Sequence, residues 1–138
     1  MRPSGCRKIA LSAAVIACAA CSDQAAIYSP SAQPDVLLGE FGTRAFQVTA
    51  KDTAAVFTFA CGSGVTGPLR RSVEGDLEAS GTLFSTMLQS EPMYVIAYLN
   101  GDILSVTVYA GATPGGAGSA FMAHRDVPGD FSGIACAQ

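Results

Sequence analysis

Residues Ala54–Leu69 read AAVFTFACGSGVTGPL, a β-branched and aromatic run that stops at a cysteine and a cluster of glycines. In the strand this predicts, Ala55, Phe57, Phe59 and Cys61 share one face, with Val56, Thr58 and Ala60 on the other. Both faces are apolar or small apart from one threonine, so the strand is expected to be covered on both sides. Gly62, Gly64 and Gly67 then supply the positive φ angles of a turn, and a second strand opens at Leu69.

Strand signals continue outward in both directions. Upstream, Val36–Phe41 and Arg44–Ala50 flank Gly42-Thr43, a tight turn or bulge, and Lys51-Asp52-Thr53 is a second turn. Downstream, the short strand Leu69–Val73 turns at Glu74-Gly75-Asp76 into Leu77–Phe84. Ser85–Pro92 reads as a loop or one helical turn around Met87 and Leu88. Met93–Leu99 and Asp102–Tyr109 form a hairpin across Asn100-Gly101, the dipeptide favoured in type I′ turns. That register sets Ala97 opposite Leu104, Val95 opposite Val106 and Met93 opposite Val108, an apolar core face. The other face pairs Tyr98 with Ile103, Ile96 with Ser105 and Tyr94 with Thr107. A loop at Gly111–Gly118, a strand at Ser119–His124, a turn at Asp126–Asp130 and a last strand at Phe131–Ala137 complete the chain. Eight or nine short strands without a helical period predict an all-β antiparallel meander closed as a small barrel, with a two-sheet β-sandwich as the alternative.

The N-terminus carries a different signal. Arg2, Arg7 and Lys8 precede the apolar run Ile9–Ala20, which at about 12 residues is shorter than the roughly 20 a membrane-spanning helix needs. Small residues before a cysteine resemble a lipobox, and two cysteines fit it. Cys21 follows the longer apolar run; Cys18 follows the better local match, Val15-Ile16-Ala17. Plain secretion with cleavage near Ala20 is the third possibility. Residues 1–20 thus read as a lipoprotein-type signal peptide, 21–34 as a Ser-, Gln- and Pro-bearing tether and 35–138 as a single β-domain. The expected location is a membrane-anchored lipoprotein facing periplasm or cell surface, or else a secreted soluble protein.

Cysteine parity favours lipidation at Cys21, because Cys61 and Cys136 are then left to pair; lipidation at Cys18 leaves Cys21 as a spare thiol. Such a disulfide suits an exported protein. Without residues 1–20 the chain keeps five basic and eleven acidic residues, a net charge of −6, and the basic ones are scattered apart from Arg70-Arg71. Nucleic-acid binding needs a basic face, so that class is excluded.

No catalytic constellation emerges. His124 is the only histidine; it has Asp126 and Asp130 nearby but reads as a surface residue, so no metal site is assigned. Gly62-Ser63-Gly64 is not a nucleophile elbow, and Gly62–Gly67 lacks the Lys-Ser/Thr ending of a phosphate loop. Glu74, Asp76 and Glu78 fit no calcium-loop spacing and read as a solvated hairpin tip. Tyr94, Tyr98 and Tyr109, on the less apolar hairpin face, are the candidate binding surface, since tyrosine combines contact area with a polar tip. No cofactor is expected.

Several stretches together resemble a family of small, uncharacterised exported bacterial proteins. They are Leu38–Gly42 leading to Phe46–Thr49, the Phe-x-Phe-x-Cys-Gly-x-Gly core within Val56–Leu69, Gly81-Thr82, Leu104–Val108 and the C-terminal Cys136. The family's tryptophan-glycine-glycine element is replaced here by Phe41-Gly42-Thr43, and the chain has no tryptophan. The resemblance implies a compact exported β-barrel with one disulfide and brings no activity with it. The functional expectation is a non-enzymatic, lipid-anchored envelope domain that binds a small apolar ligand or another envelope protein. The alternative is a purely structural or interaction lipoprotein with a filled core, and an unrecognised hydrolase stands third.

Overall fold

The computed structural model describes residues 32–85 and 89–136. The two lipidation candidates, Cys18 and Cys21, the export signal and most of the tether lie outside them, as do Met87 and Leu88. Among the described residues there are nine strands: β1 Gly39–Thr43, β2 Phe46–Ala50, β3 Ala55–Phe59, β4 Gly62–Thr66, β5 Arg70–Arg71, β6 Leu77–Ser85, β7 Ser90–Asn100, β8 Ile103–Ala110 and β9 Gly118–Arg125. No helix among them is long and apolar enough to cross a membrane.

Each strand pairs antiparallel with the next except β4, which skips β5 and pairs with β6, and β9 returns to β1. Eight strands therefore close into a barrel, as the strand spacing predicts, and β5 is the extra one. It lies beside β6 in line with β4, so the two are one strand interrupted at Pro68, which has no N–H for the ladder. The interruption swings Leu69 fully into the interior.

An eight-stranded barrel is just wide enough for side chains to fill it or for one small ligand to enter. Here Phe41, Phe46, Phe57, Leu77, Met93, Val95, Leu104 and Val106 occupy the interior, all essentially inaccessible to solvent. The outer face alternates with them and carries Gln47, Thr49, Thr58, Ser63, Thr82, Ser105 and Thr107.

Local departures from the sequence reading have identifiable causes. Gly62 and Gly64 are strand residues, not turn residues: Gly64 faces inward, where an added Cβ would lie 2.6 Å from Met93 Cε. The hairpin turns at Ala60-Cys61 instead, which takes Cys61 off the core face of β3. Val56 is 46% exposed, so β3 is covered on its inner side only. Gly42-Thr43 also belongs to a strand. The chain turns at Arg44-Ala45, with Ala45 at φ 63°, while a Cβ at Gly42 would lie 2.3 Å from the Val127 carbonyl oxygen of the C-terminal segment crossing it.

Asn100 pairs with Ile103, so the β7–β8 loop is Gly101-Asp102 with positive φ at Gly101 alone, the pattern of a type II′ turn rather than I′. The register shifts by two residues, to Ala97 opposite Val106, Val95 opposite Val108 and Met93 opposite Ala110. A shift of two preserves every face, and the expected core residues are all buried. The expected strand Leu69–Val73 shrinks to two residues. Ser85 and Ser90–Pro92 extend the strands flanking them, and Phe131–Cys136 forms no strand.

Candidate functional site

The two ends of the barrel differ. At one end the segment ahead of β1 crosses the opening. Gln33, 4% exposed, donates from Nε2 to the Leu99 carbonyl at 2.9 Å and accepts the Leu99 N–H at 2.6 Å. Arg71 donates to the Gln33 carbonyl and pairs with Asp35, and the Leu37 N–H donates to the Leu69 carbonyl. Leu37 and Leu69 fill the space beneath. Gln33, at the end of the expected tether, is thus bonded into the domain.

The other end is open. A cleft of about 380 Å³ sits in the mouth, lined by Phe59, Leu83, Val108 and Phe121 with Ala45, Ala60, Cys61, Gly62, Phe84, Ser85, Ala110, Ala117 and Ser119 around them. Among the described residues no charged side chain lines it. Its floor is an aromatic cluster: Phe46 stacks on Phe121 with centroids 4.3 Å apart, and Phe59 lies 5.8 Å from Phe46 and 6.0 Å from Phe121. Phe46 is fully buried, whereas Phe59 and Phe121 are half-buried and offer apolar surface to whatever enters. Mouths of β-barrels are a favoured location for ligand sites.

A disulfide between Cys61 and Cys136 ties the C-terminal segment to the rim, as expected. Before that, Asp130 joins the tip of the β1–β2 hairpin: its carbonyl accepts the Ala45 N–H, its N–H donates to Thr43, and Arg44 forms an ion pair with it at 3.4 Å. Bonds from the Ser132 hydroxyl and N–H hold the Asp130 carboxyl below the usual carboxylate range.

The tyrosines lie elsewhere, on the outer wall. Tyr94 and Tyr109 are direct cross-strand partners, and Tyr98 pairs with Ser105 and is 44% exposed. Burial, followed by a hydrogen bond to Glu78 and the charges of Glu78, Asp76 and Glu74, pushes the Tyr94 phenol up to about 12. The three carboxylates converge, with ligand atoms within 4.8 Å of one another. Their loop is not simply solvated: Asp76 is 5% exposed, and its carboxylate accepts the Ser72 hydroxyl proton. His124 is exposed on the outer face of β9, and among the described residues neither an ion pair nor a serine hydroxyl joins it. Asp130 is engaged instead by Arg44 and Ser132.

Sequence reasoning thus singled out the outer wall and missed the mouth. The available signal was positional: Phe59, Leu83, Val108 and Phe121 are inward-facing apolar residues toward one end of the barrel, where among the described residues no segment crosses the opening.

The class this geometry defines is a small antiparallel β-barrel with a filled interior, one plugged end, one open apolar mouth and a disulfide on its rim. No family model, curated protein or solved structure matches the chain.

Proposed function

We propose that the protein is a non-enzymatic binding domain of the cell envelope, anchored by an N-terminal lipid, and that its barrel mouth receives an apolar group. The cleft carries this reading. Half-buried Phe59 and Phe121 form an uncharged floor that is open to solvent in a barrel otherwise packed to its centre. Burying apolar surface is worth about 25 cal/mol per Å², enough for a modest ligand to bind without a charged contact. The Cys61–Cys136 bridge and the resemblance to exported proteins support a compartment outside the cytoplasm, and the apolar run before Cys18 and Cys21 supports lipid anchoring.

The test is native mass spectrometry of the exported chain together with titration by the neutral fluorophore N-phenyl-1-naphthylamine. A co-purifying mass, or saturable fluorescence that an Ala110→Arg change at the rim abolishes while melting temperature is kept, is the expected outcome. A bare chain that leaves the fluorophore dark would favour the second reading, a structural or interaction lipoprotein, for which the filled interior is the supporting observation.

A further inference from the structure

The mouth has an unusual wall. Strand β9 runs from Gly118 to Arg125, but β1 pairs with it only at Arg125 and His124. Beyond that point β1 turns into β2, whose Phe46 packs on Phe121 from the interior, and among the described residues no strand or bridge pairs with that side of β9 from Gly118 to Ala123. The direction of its free groups can be worked out. The Arg125 N–H donates to Asp102 beside β8 at 2.8 Å. Alternation along an antiparallel strand then turns the backbone groups of Ala123, Phe121 and Ser119 toward β8 and those of Met122 and Ala120 into the open seam. Ala117, Ser119 and Phe121 line the cleft itself, so the unpaired edge and the apolar mouth are one continuous surface.

Exposed edges are usually guarded by charge or proline. Gly118–Met122 (GSAFM) has neither, and the cleft lining is also uncharged. An uncharged edge that offers paired donors and acceptors beside an apolar pocket matches an extended, uncharged polypeptide segment. We propose that β9 takes such a segment by antiparallel strand addition, with the Ala120 and Met122 backbone groups forming the ladder and one apolar side chain of the partner entering the cleft. This rests on reading the mouth as a binding site and names its partner class.

The test uses the exported chain and a fluorescein-labelled capped hexapeptide of alternating leucine and threonine. The peptide is expected to bind. N-methylation of the alternate amides that face β9 should weaken it at least about tenfold, the cost of one or two backbone hydrogen bonds, while methylation of the other set leaves it unchanged. Ala120→Pro removes an outward N–H at a position where an edge strand tolerates proline. It should weaken the peptide to the same degree and leave N-phenyl-1-naphthylamine binding intact. Peptide affinity indifferent to both changes, or no peptide binding by a chain that still binds the fluorophore, overturns strand addition and leaves the cleft reading standing. Loss of both probes removes both readings. A dimer that Ala120→Pro disperses would place a second copy on the edge and overturn the peptide assignment.

Discussion

Tyr94 sits across from Tyr109 and within hydrogen-bond reach of Glu78, and its phenol is pushed up to about 12 from 10.0, by burial first and by Glu78 second. The folded state therefore favours the protonated phenol. Its contribution to stability is complete below pH 10 and drains away as pH rises from about 10 through 12. Phenolate absorbance during alkaline titration should show a component that ionises at about 12 and is lost in Tyr94→Phe. Glu78→Gln should lower its midpoint without bringing it to 10, because burial remains; an unchanged midpoint would remove Glu78 from the account. Gly42 makes a second prediction at this scale. A Cβ there meets backbone atoms of residues 127–129 at 2.3–2.6 Å, so Gly42→Ala should destabilise by about 1–3 kcal/mol in urea unfolding. A neutral result would mean that the C-terminal segment is not seated on β1. These glycines also mark where the sequence was hardest to read. Glycine for a turn and glycine for close approach look alike in one dimension, and only the neighbouring chain or Met93 tells them apart.

At the scale of elements, alternation was legible because it depends on parity alone. The β7–β8 register moved by two residues when Gly101-Asp102 rather than Asn100-Gly101 formed the loop, yet Met93, Val95, Ala97, Leu104, Val106 and Val108 kept their inward face. Burial of β3 on one side only was not legible, because barrel closure decides which face meets solvent and no local pattern encodes it. The plugged end depends on tertiary pairing in the same way. Gln33 looked like tether composition, but both of its amide groups bond to Leu99, 66 residues away. Gln33→Ala leaves those backbone groups unpaired and should cost about 2–3 kcal/mol in chemical denaturation. A loss below about 0.5 kcal/mol would mean that the crossing segment contributes little to the fold.

For the whole molecule, closure and the disulfide act together. β1 and β9 share only two paired residues, the shortest seam among the eight barrel strands, and the C-terminal segment that runs from Asp126 over Gly42 to the rim is fixed there through Cys61–Cys136. With a sequence separation of 75, the chain-entropy account puts the bridge at up to about 4–5 kcal/mol. Replacing both cysteines by alanine should lower stability by a large part of that, and proteolysis should begin in Phe131–Cys136, which has no strand pairing. Unchanged resistance to protease would contradict this role for the bridge. The barrel has a plugged base and an open mouth, and NMR mapping of N-phenyl-1-naphthylamine on the isotope-labelled chain locates where an apolar ligand sits between them. The predicted result is shifts confined to Phe59, Leu83, Val108, Phe121 and their neighbours around the mouth. Shifts centred on Tyr94, Tyr98 and Tyr109, or no saturable shifts, would contradict it.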